Sequence, residues 1–237
     1  MRRLVLVGSR ARPEPHHPLA DVDVQVHAVR TAPYLEATEW LRAIGRHWVC
    51  VHDAYDEGPL SVPTRLVIFE GGAKVDFAFY PAGWVPSGAA AAFPRRVLVA
   101  KQGLMEGERS GAVRPRRDPT LRQVVEEFFF EAWHVAVYLV RGRMDLSLAR
   151  LTAARDFLTT MEARHHAVAG GRPFDANREG PSSSPASPRE VWDELEAATS
   201  RFRKVASEVV AATATAYPDD VDRNLSSFIA RLRTGAP

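Results

Sequence analysis

The feature that most constrains this chain lies within its first 24 residues. The apolar segment Leu4–Val7 has the length and composition of a short buried strand, and it leads directly into Gly8 and Ser9. After a proline-rich loop, a second strand begins with Asp21 and Asp23. Side chains two positions apart on a strand point to the same face of a sheet, so the two carboxylates are predicted to lie side by side. Because neighbouring carboxylates repel each other and hard oxygen ligands suit Mg²⁺, the pair predicts a metal site.

A third carboxylate, Asp76, lies in an alternating segment at positions 74–81. The segment at 64–70 alternates in the same way, and Gly71-Gly72 supplies the tight turn between two antiparallel strands. Backbone N–H groups and a hydroxyl directly after a strand, as in the Gly-Ser pair, can bind a phosphate group. Three strand-borne aspartates beside such a turn predict a two-metal site for phosphoryl transfer.

The remainder of the first half predicts a mixed β-sheet with helices. Apolar residues at helical spacing predict a helix over 34–44, and alternation predicts strands over 48–51 and 97–101. Three acidic residues are predicted to form a loop between the first and second halves of the sheet: Asp53, Asp56 and Glu57.

The second half predicts only helices. Asp118-Pro119 is predicted to cap and begin the first of them, and a second is predicted over 145–167. Ser187 and Glu190 form a capping box that opens a long third helix, and a last short helix follows Pro218. All four carry a broad or spaced apolar face, which is typical of a helical bundle.

These patterns predict an α+β protein of two domains. The basic, proline-containing segment 109–118 is predicted to connect them, so that residues 1–117 form the sheet domain and residues 118–237 form the helical domain. The polar segment 170–186 is predicted to be a loop within the second domain.

Composition excludes several classes of protein. The 237 residues are enough for two domains, and a formal net charge of +2 is too small to indicate nucleic-acid binding. No apolar run reaches membrane-spanning length, and the N-terminal run is too short for a signal peptide. The single cysteine, Cys50, excludes an internal disulfide and is typical of a reducing compartment. We expect a cytoplasmic monomer or homodimer that binds neither nucleic acid nor membrane.

Three motifs, taken in order, carry a resemblance to a known family. Gly8-Ser9-Arg10, Asp21-Val22-Asp23 and Lys74-Val75-Asp76-Phe77 resemble the nucleotidyltransferase superfamily, and within it the aminoglycoside 6-adenylyltransferases, or streptomycin adenylyltransferases. Where that family has Asn-Glu-Phe-Trp, this chain has Phe130-Glu131-Ala132-Trp133, which keeps the Glu and the Trp. Where the family has Leu-Asp-Lys-Asp-Gly, residues 99–103 keep only the Lys and the Gly. The family also has a helix before the Gly-Ser strand, so we expect either that this protein lacks it or that its coding start is misplaced.

The resemblance implies an enzyme that transfers AMP from MgATP to a hydroxyl of an aminoglycoside such as streptomycin, with release of pyrophosphate and inactivation of the antibiotic. It implies two Mg²⁺ ions, held by three aspartates: Asp21, Asp23 and Asp76. The ATP phosphates would be bound by Gly8, Ser9, Arg10 and Lys101, with Lys101 toward the leaving pyrophosphate. Glu131 would be the general base that deprotonates the acceptor hydroxyl.

Alternatives for the individual residues stay open at this point. An unpaired charge on the apolar helix face that carries Glu131 would be costly, so Glu131 could instead be the structural partner of an arginine. Arg10 could likewise be an ion-pair partner, and Lys101 an exposed lysine at a strand end. The acidic loop at 53–57 could bind an ammonium-bearing acceptor. The histidine pairs at 16–17 and 165–166 lack metal-ligand spacing and are predicted to be solvated.

Alternatives for the function also stay open. The acceptor could be a lincosamide, another metabolite or a protein side chain. A protein of another class, a regulator that binds nucleotide without catalysis, is compatible with the departures at 100, 102, 130 and 132.

Overall fold

A computed structural model gives the structure of the chain over residues 1–85, 92–101, 119–168, 185 and 187–235. The chain divides into two compact units, Met1–Arg116 and Arg117–Pro237. The first unit contains the strands and two short helices, and the second contains helices. The α+β class predicted from the sequence is therefore confirmed. The predicted connection at 109–118 lies outside the described residues, as does the predicted loop at 170–186 apart from Pro185.

The first unit is built on a mixed sheet of six described strands. They are β1 (Arg3–Val7), β2 (Val22–Ala28), β3 (His47–Glu57), β4 (Leu60–Phe69), β5 (Lys74–Pro81) and β6 (Arg95–Ala100). Their order across the sheet is β3-β4-β5-β2-β1-β6. The two central strands β2 and β5 are parallel, and the other neighbouring pairs are antiparallel. The predicted Gly-Gly hairpin joins β4 to β5.

One face of this sheet carries the hydrophobic core of the first unit. Alternate residues of the central strands, among them Val24, Val26, Phe77 and Phe79, are buried together on it. Because side chains alternate between the two faces of a sheet, the polar side chains of the same strands lie on the other face. The short helices α1 (Ala32–Glu36) and α2 (Glu39–Arg42) contribute aromatic and aliphatic side chains to the core: Tyr34, Leu35, Trp40 and Leu41.

Two local predictions in the first unit were wrong. The predicted helix over 34–44 is broken at Ala37, which is extended with φ −118° and ψ 152°. The indole Nε1 of Trp40 donates to the carbonyls of Tyr34 and Ala37, and Arg65 donates to the Tyr34 and Leu35 carbonyls, so side chains satisfy the helix end. The predicted acidic loop is strand instead, because β3 pairs with β4 as far as Glu57 opposite Leu60.

The second unit consists of α3 (Leu121–Val140), α4 (Met144–Val168), α5 (Pro188–Thr213) and α6 (Asp219–Thr234). The helix α3 packs against α4 and α6, and α4 packs against α5. Phe128 of α3 stacks on Phe202 of α5 with ring centroids 3.9 Å apart. No helix in the part of the chain that the structure describes is long and apolar enough to cross a membrane.

Side-chain hydrogen bonds cap two of the described helices, α3 and α5. Ser187 caps α5 as predicted and accepts a hydrogen bond from the Glu190 N–H. The cap of α3 is Thr120, not Asp118, because Thr120 and Gln123 form a reciprocal capping box two residues further along.

Candidate active site

The three predicted aspartates come together at one end of the sheet. Asp23 and Asp76 are direct partners in the parallel register of β2 and β5. Asp21 comes just before β2 and, two residues from Asp23, lies on the same side. The ammonium of Lys74 joins the cluster: its Nζ donates to Asp21 Oδ2 at 3.0 Å and to Asp76 Oδ2 at 2.6 Å.

Gly8 brings the end of β1 against this cluster. Val7 pairs with Asp23, so Gly8 and Ser9 leave the sheet beside the aspartates. A Cβ atom on Gly8 would lie 2.7 Å from Asp23 Oδ2, and Gly8 has a φ of +73°. The Gly8 N–H donates to the Pro94 carbonyl at 3.2 Å, and Ser9 opens a single turn of 3₁₀ helix, Ser9–Ala11. The glycine is therefore required for the close approach of this turn to Asp23.

The electrostatics of the cluster follow from burial and from the crowding of carboxylates. Burial raises the pKa of Asp23 to about 6, and the neighbouring carboxylate of Asp76 adds to this rise. Burial alone would lower the pKa of Lys74, but the carboxylates of Asp76 and Asp21 outweigh it and raise that pKa. One ammonium thus faces three carboxylates, which leaves the cluster in need of further positive charge.

The cluster fits a hard divalent cation in the chemistry of its donors. Carboxylate oxygens are the ligands that Mg²⁺ takes from proteins, and the missing Cβ of Gly8 leaves room beside Asp23 Oδ2. Within the described residues, however, no three His, Cys, Asp or Glu side chains are arranged as they would be to hold a metal ion. Lys74 explains this, because its ammonium lies between Asp21 and Asp76. Asp21 and Asp23 are the residues that could hold a metal without displacing Lys74.

Arg10 is engaged by the loop that precedes Asp21. Its guanidinium donates to the Ala20 carbonyl at 2.9 and 3.2 Å, to the Pro18 carbonyl at 3.0 Å, and to His16 Nε2 at 2.8 Å. These bonds hold the end of the proline-rich loop, and with it the start of β2. The sequence left open that Arg10 forms an ion pair, but its guanidinium donates to carbonyl oxygens instead. Its contact with phosphate stays a prediction.

Lys101 lies at the opposite end of β1 from Gly8. The register of β1 and β6 sets Val7 against Arg95 and Arg3 against Ala100, and the Lys101 N–H donates to the Arg2 carbonyl. The five residues of β1 span roughly 16 Å. The structure therefore does not bring Lys101 to the Gly-Ser turn. Lys74 is the lysine at the cluster, and its spacing of two residues from Asp76 on an alternating strand was the signal that could have revealed it.

Glu131 lies in the second unit, buried on α3. Arg150 Nη1 donates to both of its carboxylate oxygens at 3.3 Å, and His134 Nδ1 is 4.0 Å from Oε2. Glu131 thus pairs with an arginine, as the alternative to a general-base role had predicted. The general-base role stays a prediction.

A second polar cluster lies on the same face of β5 as Asp76. The hydroxyl of Tyr80 donates to Glu57 Oε2 at 2.7 Å and hydrogen-bonds to the Tyr55 hydroxyl at 2.6 Å. Trp84 Nε1 donates to Glu57 Oε1 at 3.4 Å. These tyrosines were missed from the sequence, although Tyr80 stands four residues, an even step, from Asp76. The cluster gives the sheet face an acidic, aromatic surface beyond the aspartates.

Comparison with known proteins agrees with the motifs found in this chain. The chain has an aspartate cluster beside a Gly-Ser turn on a mixed sheet, as its motifs predicted. The family model for streptomycin adenylyltransferase matches residues 1–180. The chain belongs to this family and is a nucleotidyltransferase enzyme, as the resemblance of its motifs predicted. No curated protein matches the chain.

One solved structure similar to this chain is an aminoglycoside 6-adenyltransferase from Bacillus subtilis. It is 19% identical, the match covers 98% of this chain and 92% of that one, and the TM-score is 0.42.

Replacing Gly8 with alanine is expected to disturb the cluster directly. The new Cβ would overlap Asp23 Oδ2, so either the carboxylate or the end of β1 must move. We expect a loss of stability of about 2 kcal/mol, from the left-handed backbone and the overlap together, and a loss of Mg²⁺-dependent ATP binding. Thermal unfolding and calorimetric titration measure the two effects.

Gly58→Ala is the matched control for this substitution. Gly58 also has a positive φ, +60°, but a Cβ there meets nothing within 4 Å. It should lose about 1 kcal/mol from backbone strain alone and keep ATP binding. Equal behaviour of the two variants would show that Gly8 serves only the turn.

The stability of the metal-free protein is expected to depend on pH through Asp23. Its pKa is raised from 3.8 to about 6, so the folded state holds the proton longer than the unfolded state. The resulting stability is present at low pH and is lost as pH rises from about 4 through 6. Asp23→Asn removes this loss, so with chelator at pH 7.5 the variant should be more stable than wild type by on the order of 2 kcal/mol. At pH 4 the free energies of unfolding of wild type and Asp23→Asn should be nearly equal. A difference as large as that at pH 7.5 would contradict the raised pKa.

Proposed function

We propose that this protein transfers AMP from MgATP to a hydroxyl group of streptomycin and releases pyrophosphate. The observation that supports it most is the convergence of Asp21, Asp23 and Asp76 beside the Gly-Ser turn. Phosphoryl-group transfer depends on positioning and on neutralising the charge that builds up on oxygen. A crowded carboxylate cluster that needs a cation is suited to that task.

The residues of the cluster have distinct tasks in this proposal. Asp21 and Asp23 would hold Mg²⁺, which supplies the positive charge that the reacting phosphate needs. Ser9 binds a phosphate oxygen through its hydroxyl, beside the space that Gly8 leaves open. Arg10 holds the loop before Asp21 and keeps that carboxylate in place. Glu131 is the general base that takes the proton of the acceptor hydroxyl.

The acceptor that we propose is cationic. The three acidic residues lie on the strand β3 instead of on a loop: Asp53 and Glu57 share the face of the second polar cluster, and Asp56 points to the other face. Glu57 is fixed by Tyr80 and Trp84, so it offers an oriented negative charge. An aminoglycoside, which carries several ammonium or guanidinium groups, matches such a surface better than a neutral metabolite does.

We further propose that the enzyme works in the cytoplasm. Its nucleotide donor is ATP, and its single cysteine, Cys50, excludes an internal disulfide, as expected in a reducing compartment.

The proposal is tested by a screen of acceptors. The protein is incubated with ATP and Mg²⁺ and with streptomycin, other aminoglycosides or a lincosamide, and products are weighed by mass spectrometry. A gain of one AMP on streptomycin supports the proposal, and a gain on the lincosamide alone would reassign the acceptor. ATP binding without any product would favour a regulator.

A further inference from the structure

Lys74 is a buried lysine in the midst of the aspartate cluster. It is the first residue of β5, two residues after Gly72 of the hairpin turn, and its side chain is 5% exposed. Burying an ammonium group costs free energy unless the group is paired. Here the carboxylates of Asp21 and Asp76 both accept hydrogen bonds from the Lys74 ammonium. The lysine is therefore built into the cluster and is not a solvated residue that lies nearby.

The position of the ammonium bears on how many metal ions the cluster accepts. Nζ lies 3.0 Å from Asp21 Oδ2 and 2.6 Å from Asp76 Oδ2. A Mg²⁺ ion shared by the same two oxygens would need distances of about 2.0–2.1 Å to each. The ion and the ammonium cannot both occupy that place. Lys74 thus fills the position from which Asp76 would share a metal with Asp21.

The net charge of the cluster also indicates a single divalent ion. The three carboxylates carry three negative charges, and the ammonium together with one divalent cation neutralises them. A second divalent cation, before any nucleotide is present, would leave two surplus positive charges in a site where Asp23 is half-buried. The cluster with Lys74 is balanced for one divalent ion.

We propose that Lys74 is a positioning residue that acts as a built-in second cation: it holds Asp21 and Asp76, so that the nucleotide-free cluster binds one divalent ion at Asp21 and Asp23 instead of two. This inference rests on the proposed function of the cluster and replaces the expectation that Asp76 is a metal ligand. It assigns Asp76 the task of fixing Lys74.

The experiment counts Mn²⁺ ions bound to the nucleotide-free, full-length protein by equilibrium dialysis with electron paramagnetic resonance detection. Wild type should bind one Mn²⁺. Lys74→Met should bind two, since Asp76 becomes available, and Mn²⁺ should raise its unfolding temperature more than that of wild type. Lys101→Met is the matched control, because Lys101 is exposed at the other end of β1 and its loss should leave one ion.

Asp76→Asn keeps the inference testable if Lys74→Met does not fold. This variant should still bind one Mn²⁺, with affinity changed less than about threefold, whereas Asp23→Asn should lose it. Two ions on wild type, one ion on a folded Lys74→Met, or loss of Mn²⁺ from Asp76→Asn would each overturn the inference. Absence of Mn²⁺ from wild type would overturn it too. The proposed function is judged separately, by AMP transfer to streptomycin with the same wild-type preparation.

Discussion

Asp23→Asn is expected to abolish AMP transfer while leaving the protein folded. Asp23 is the carboxylate against which Gly8 packs, and it is the direct sheet partner of Asp76. A neutral amide binds Mg²⁺ poorly, and a metal ion supplies several kcal/mol of stabilisation to developing charge, so turnover should fall by roughly three orders of magnitude or more. Initial rates of pyrophosphate release at saturating streptomycin measure the effect.

Circular dichroism separates lost chemistry from lost structure in this variant. Asp156→Asn is the control substitution, because Asp156 is exposed on α4 in the other unit. It should keep wild-type turnover. If Asp23→Asn also turned over like wild type, the aspartate cluster would not be the catalytic metal site.

Glu131→Gln is expected to lower turnover by roughly two to four orders of magnitude, the usual contribution of a positioned base. The amide keeps the size of the side chain but cannot accept the proton of the acceptor hydroxyl. Binding of ATP should be nearly unchanged, because Asp21, Asp23 and Ser9 carry it. Turnover with streptomycin and ATP affinity are the two quantities to compare.

Glu162→Gln provides a matched control for Glu131→Gln. Glu162 is also buried in the helical unit and also paired with an arginine, since Arg201 Nε donates to it at 2.5 Å. If the Glu131 carboxylate serves only its pair with Arg150, the two variants should behave alike and keep most of their activity. In that outcome the base should be sought among Asp53, Asp56 and Glu57.

The parts of the fold that the sequence predicted well are those set by local pattern. A short apolar run predicted β1. Alternation predicted β2, β4 and β5, because side-chain direction within a strand depends on residue spacing alone, and the glycine pair predicted the hairpin between β4 and β5. For the same reason Asp21 and Asp23 were predicted to lie side by side, whereas Asp76 was assigned to their site from the combination of the three motifs.

The parts that the sequence did not predict depend on contacts between distant residues. The outer half of β3 is polar, and only its pairing with β4 makes residues 53–57 a strand. The helix at 34–44 is broken by bonds from Trp40 and Arg65. Lys101 was assigned to the site by its position in a motif, whereas the antiparallel direction of β6 carries it to the far end of the sheet.

The position of Lys74 in the site also depends on a contact between distant residues. Its spacing from Asp76 was visible in the sequence, but its contact with Asp21 joins residues 53 positions apart. Only the parallel pairing of β2 and β5 brings these two residues together.

Isotopic labelling of ATP distinguishes adenylyl transfer to streptomycin from every other outcome. Wild-type protein is incubated with Mg²⁺, streptomycin and ATP labelled either at the α-phosphorus or at the γ-phosphorus. We expect label from the α position in streptomycin and label from the γ position in pyrophosphate. Label from the γ position in streptomycin, or no label in it from either position, would show that the protein does not transfer AMP to this acceptor.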